Sequence, residues 1–260
     1  MKTKYKLPKF PKLKKPIFIE GLPGIGHVGK LAIDFIIEEM KAKKFLEVYS
    51  HSFPNLVFVN EKNLVELPTV KFYYIERKGK AKQDLILMSG DVQPTEEKDS
   101  YEFTEQILKL LEDFNVSQII TLGGIGLQNP PKEPKVYCTG NSKEFITEFK
   151  KFGTQEKIYG VVGPIIGVTG LLLGLAELKK IKSASLLAES FGNPSYLGID
   201  GAKEIVKILN KKYSLGIDIK KMEIHPKKEK TKKEEEIHEL TNELTKKIKK
   251  KIGEDMSYIG

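Results

Sequence analysis

Ile17-Phe-Ile-Glu-Gly-Leu-Pro-Gly-Ile-Gly-His-Val-Gly-Lys30 runs from an apolar strand, through a glycine loop, into the start of a helix. The run 17–20 reads as a short buried strand. After Val28 the apolar residues Leu31, Phe35 and Ile36 recur at helical spacing, which predicts a helix over residues 28–42.

The loop approaches two phosphate-binding signatures. Gly24-Ile-Gly-His-Val-Gly29 satisfies the GxGxxG spacing of dinucleotide sites in the right strand-to-helix context. The acid that such sites place about 20 residues further on falls at Glu47, which reads as mid-strand. Gly24, Gly29 and Lys30 also approach a P-loop, with Asp91 as a Walker-B-like aspartate after an apolar run. A P-loop needs a hydroxyl after its lysine to hold magnesium; here Leu31 and then Ala32 follow, which argues against an NTPase. A bare anion site stays open, because backbone N–H groups at a helix start attract anions without any side chain.

Outward from the loop, strands and helices alternate. Strands are expected at residues 45–50, 56–60, 70–77, 84–89, 118–122, 135–139, 158–162 and 184–188. Helices are expected at 99–114, 142–151 and 200–213, with another starting at Pro164. In that last helix Gly167, Gly170 and Gly174 fall on one face, opposite Leu171, Leu172, Leu175 and Leu178. The pattern indicates an α/β fold, a three-layer αβα sandwich on a mixed, mostly parallel sheet. Gly123-Gly-Ile-Gly126 reads as a loop. Glu20, Asp91, Gln93 and Glu189 sit where strands end, the edge at which such folds place their crevices. Glu20, Asp91 and Glu189 with Gly24, Gly26 and Gly29 thus make a candidate anion or ligand pocket, suited to a phosphate- or nucleoside-like molecule. Loop polarity, caps and tight turns are the plainer account of each residue taken singly.

Composition narrows the classes. The 260 residues are 40% hydrophobic, enough for one large α/β domain plus an extension. No apolar run reaches the ~18–20 residues that span a bilayer. The Lys- and Pro-rich start lacks the apolar core of a signal peptide, so the expectation is a cytoplasmic protein. A lone Cys138 allows no internal disulfide and reads as a buried strand thiol. The four histidines show no metal-ligand spacing, so neither metal nor cofactor is expected. No nucleophile, base and orienting group can be assembled, and no catalytic residue is assigned.

The net charge of +9 lives in the tails: seven lysines and no acid in residues 1–16, ten lysines against eight acids in residues 226–260. The body, 17–225, is neutral, and no nucleic-acid-binding motif accompanies the tails, which read as solvated segments rather than a nucleic-acid face. The chain therefore divides into a basic arm (1–16), an α/β domain (17–225) and a charged C-terminal segment (226–260). In that segment Ile237, Leu240, Leu244 and Ile248 form a helical stripe, continued by Ile252, for docking on the body or a partner. Acids precede and lysines follow, matching the helix dipole. Gly253 ends the helix, and a short tail with Met256, Tyr258, Ile259 and Gly260 follows.

Three segments together resemble the PAC2 family, the archaeal relatives of proteasome assembly chaperones. They are Glu20-Gly-Leu-Pro-Gly-Ile-Gly-His-Val-Gly-Lys30 with Tyr49-Ser-His-Ser-Phe-Pro54; Ser89-Gly-Asp-Val-Gln-Pro94; and the glycine-rich run 160–176 followed by Leu186-Leu-Ala-Glu-Ser190. The resemblance implies a fold similar to purine nucleoside phosphorylases, homo-oligomers, and binding of 20S proteasome α-subunits rather than catalysis. Some relatives dock by a C-terminal hydrophobic-Tyr-X tail. Here Tyr258 is third from the end, Ile259 is penultimate and Ser257 precedes the tyrosine.

Overall fold

The computed structural model describes residues 4–5, 10–79, 83–155 and 163–223. The expected strand 158–162 lies outside these residues. So do the stripe Ile237, Leu240, Leu244 and Ile248, and the tail Met256, Tyr258, Ile259 and Gly260.

The strands are β1 (Lys4–Tyr5), β2 (Ile17–Gly21), β3 (Lys43–Tyr49), β4 (Phe58–Val59), β5 (Val65–Glu66), β6 (Val70–Ile75), β7 (Leu85–Gly90), β8 (Gln118–Leu127), β9 (Val136–Gly140) and β10 (Lys182–Phe191). The helices are α1 (Val28–Glu39), α2 (Glu97–Asp113), α3 (Lys143–Lys150), α4 (Val168–Leu178) and α5 (Ile199–Tyr213). Eight strands form one sheet in the order β1-β3-β6-β7-β2-β8-β10-β9, while β4 and β5 pair as a separate hairpin. The central four, β7-β2-β8-β10, are parallel, and the strands outside them are antiparallel. β2, buried along its whole length, lies between β7 and β8. The chain crosses from β7 over to β8 through α2, so β2 ends at a crevice flanked by two other strand ends.

Helices cover both faces. Ile33 and Ile36 of α1, Phe145 and Phe149 of α3, and Ile205 and Leu209 of α5 share one core with Ile19, Leu87 and Leu186. On the other face Phe103 and Ile107 of α2 and Val168 and Leu172 of α4 pack with Phe18, Phe72 and Ile119. Alternation along β2 explains the split: Phe18 and Ile19 point to opposite faces. This is the expected three-layer architecture.

Several details differ from the sequence reading. The expected loop 123–126 is part of β8, which continues to Leu127 in register with β10. Its glycines serve a close approach: a Cβ on Gly124 would stand 2.2 Å from the carbonyl oxygen of Ile25. α4 starts at Val168 rather than at Pro164, because Gly167 holds a left-handed φ of 82° that no helix residue adopts. Its glycines do not share one role. A Cβ on Gly170 would meet the Ile165 carbonyl oxygen at 2.1 Å, whereas Gly174 faces open space. The buried stripe is Val168, Thr169, Leu172, Leu173 and Ala176, and Leu178 is 76% exposed. At the start of the chain Phe10 stacks edge-on against Phe45 and Phe114, and the Lys14 N–H donates to Asp84 Oδ2 at 2.7 Å, so residues 10–16 lie along the body.

Candidate functional site

The glycine loop joins β2 to α1 by a tight turn. Ile25–His27 form a single 3-10 turn, with Gly26 at φ 60° and His27 at φ 51°. Three glycines of this segment are pressed against neighbouring atoms. A Cβ on Gly29 would stand 2.2 Å from the Leu122 carbonyl oxygen, and one on Gly21 would stand 2.3 Å from the Gly29 carbonyl oxygen. A Cβ on Gly26 would stand 2.1 Å from Ser190 Oγ, and the Gly26 carbonyl accepts from the Gly198 N–H at 2.8 Å. The loop thus seats α1 on β8 and meets the start of α5. Gly24 precedes it in extended conformation.

Glu20 points to the opposite face of the sheet, toward α4. It is fully buried; its Oε1 accepts from the Leu22 N–H at 2.9 Å and from Thr169 Oγ1 at 3.3 Å. Burial pushes its carboxyl up to about 8, although the Leu22 N–H, the Thr169 hydroxyl and the Leu122 backbone all favour the charged form. Gln93 bridges the same corner. Its Nε2 donates to the Pro23 carbonyl at 2.8 Å and its Oε1 accepts from the Val168 N–H at 3.2 Å, which caps the first turn of α4.

The other two acids of the expected pocket stand apart from Glu20. Asp91 follows β7 and accepts from both the N–H and the Oγ1 of Thr69 at 3.1 Å, pinning the start of β6. Glu189, in β10, accepts from the Lys135 N–H and from Tyr137 Oη, both at 3.0 Å, holding the entry to β9. The structure brings Glu20, Gln93 and Thr169 together, and gathers Gly24, Gly26 and Gly29 on the far side of the sheet. It joins neither group to Asp91 or Glu189. Thr169 was invisible in the sequence, since only tertiary packing sets α4 over β2.

Lys30, where a P-loop lysine would stand, has a local partner. Its Nζ lies 2.7 Å from Asp34 Oδ2, and Ser89 Oγ donates to Asp34 Oδ1. Burial disfavours the ammonium, but Asp34 above all, with Asp91 and Tyr73, offsets it and the pKa is raised. The i,i+4 spacing of Lys30 and Asp34 is the signal that points to this pair. Cys138 lies buried in β9, and burial lifts its thiol to about 12, which keeps it inert as a nucleophile at neutral pH. Among the described residues no group of three His, Cys, Asp or Glu could hold a metal ion, and no helix is long and apolar enough to cross a membrane.

The PAC2 family model matches residues 18–241, from the second residue of β2 past the described body. The chain belongs to the PAC2 family. Among solved structures it is similar to Pyrococcus furiosus PbaB, an archaeal proteasome activator, at 32% identity and a TM-score of 0.78, covering 95% of this chain and 98% of that one. Pyrococcus furiosus PbaA, an archaeal homolog of proteasome-assembly chaperone, matches at 25% identity and a TM-score of 0.72, covering 95% of this chain and all of that one. An uncharacterized Methanocaldococcus jannaschii protein is 34% identical over 139 residues; the match spans 54% of this chain and about half, 52%, of that relative. The PAC2 assignment places the glycine loop in a family framework that runs through the whole domain.

Proposed function

We infer that this PAC2 protein is a non-enzymatic, homo-oligomeric binding protein whose partners are 20S proteasome α-subunits or related assemblies. The likeness to PbaB along 95% of the chain carries the reading. The roles of the polar residues support it: Asp91 and Glu189 bind loop backbone and neighbouring hydroxyls, Lys30 is paired with Asp34, and the loop glycines make room for packed backbone. These are the arrangements of a scaffold rather than of a nucleophile with its base.

The partner contact is assigned to the C-terminal tail, with Tyr258 as its aromatic anchor. Pull-down of purified 20S α-subunits by the full-length chain tests this. Retention by the full chain, lost on deleting residues 253–260, is the expected result. No retention by the full chain removes the partner, and undiminished retention by the truncated chain moves the contact away from the tail.

A further inference from the structure

At the edge of the sheet opposite the glycine loop, a cleft of about 550 Å³ opens between the start of β2, the segment after β6, and the C-terminal ends of α3 and α5. Its walls carry the cations Arg77, Lys151 and Lys212 against one carboxylate, Glu148. Asp84 accepts from the Arg77 N–H at 2.8 Å and favours the charged guanidinium, so with Glu148 it leaves one net positive charge in a concave setting, which focuses the field on whatever enters.

The cations are held differently. Arg77 donates to the carbonyls of Tyr213 and Ser214 at the end of α5. The Lys212 ammonium lies 4.5 Å from the Phe149 ring centroid, within 5.6 Å of those of Phe145, Phe152 and Tyr213, and 2.7 Å from Glu148 Oε2. Neutralising helix C-termini accounts for both. Lys151 is exposed and makes no ion pair among the described residues, so it adds its charge to the mouth. Tyr213 Oη donates to Gln118 Oε1 at 3.0 Å, which fixes that amide with its NH₂ as the remaining donor. Phe152, Tyr213 and Ile17 supply apolar wall. A concave volume of this size, with aromatic walls and a few positioned donors, has the makings of a small-molecule site.

We propose that this cleft binds a small anion carried on a flat apolar body, a carboxylate or phosphate on an aromatic ring. The anionic head meets Lys151 and Arg77, and the ring lies against Phe152 and Tyr213.

Chemical-shift titration of the full chain at low ionic strength with phenyl phosphate, benzoate and inorganic phosphate tests the proposal. At least one of the two ring anions should saturate with a Kd in roughly the millimolar range. The shifts should centre on Ile17, Gln118 and Tyr213, and inorganic phosphate should bind about tenfold more weakly. Which ring anion binds better identifies the head group. Lys151→Glu, at an exposed position, should weaken binding about tenfold without disturbing the spectrum elsewhere. Absence of saturation by both ring anions overturns the proposal. So do shifts centred on residues 24–29, affinity unchanged in Lys151→Glu, or inorganic phosphate binding as tightly as phenyl phosphate.

Discussion

Glu20 shows how one residue ties the fold to pH. Its carboxyl titrates near 8 in the folded chain, above the ordinary 4.5, so folding retains a proton that the unfolded chain releases. The stabilisation from the neutral acid is fully present below the unfolded value and is lost as pH rises toward and through the folded one. Urea midpoints should therefore fall between about pH 5 and about pH 9, and Glu20→Gln should flatten that slope. An equal slope in both proteins would show that Glu20 is already ionised in the fold. The glycines make a second residue-scale prediction, with opposite signs. A Cβ on Gly29 would strike the Leu122 carbonyl, part of a strand that cannot yield, so Gly29→Ala should cost about 1–3 kcal/mol. Gly174 faces open space inside a helix, so Gly174→Ala should stabilise by about 0.5–1 kcal/mol. Thermal melts of the two variants give the comparison directly; equal shifts would mean that packing does not distinguish the positions.

At the scale of elements, α5 is fastened at its C-terminal end by side chains from elsewhere and by its own. Asn210 Oδ1 accepts from the N–H groups of Gly216 and Ile217, and its Nδ2 donates to the Ile217 carbonyl. Lys212 reaches into the rings of α3. Lys212→Met keeps most of the stem and removes the charge from an enclosed aromatic site, so it should destabilise by about 1–2 kcal/mol. A double-mutant cycle with Phe149→Leu should show coupling between the two; additive effects would reduce Lys212 to a packing residue. The same scale shows where sequence reading stopped short. Alternation and helical periodicity located β2, α1, α2, α3 and α5 within a few residues, because their apolar positions repeat with the period of the element. β8 was cut short at Leu122 because glycines in a strand read as a loop. Their reason is the backbone of residue Ile25 lying on the strand, a contact absent from any local window.

The whole molecule is a sheet with a parallel centre covered on both faces and antiparallel flanks, of which β9 packs under α3. The sheet and its covering helices are those of the PAC2 family, in line with the likeness to PbaB along the chain. Light scattering on the full chain should return a multiple of the chain mass at micromolar concentration, and a chain-sized particle would refute the proposed homo-oligomer.

By itself the sequence determined the class of fold, most of the elements between residues 17 and 213, the neutrality of the body and the family. These rest on periodicity, charge counts and ordered glycine motifs, all local quantities. Only the tertiary structure decided the work of each polar residue. It set Glu20 under α4 and the glycine loop on the other face, because neighbouring side chains on a strand point to opposite sides. It also tied Asp91 and Glu189 to backbone on different strands and opened a basic cleft at the far edge. The loop that spells a phosphate site is, in three dimensions, a place where glycine is needed so that a helix can lie directly on a strand.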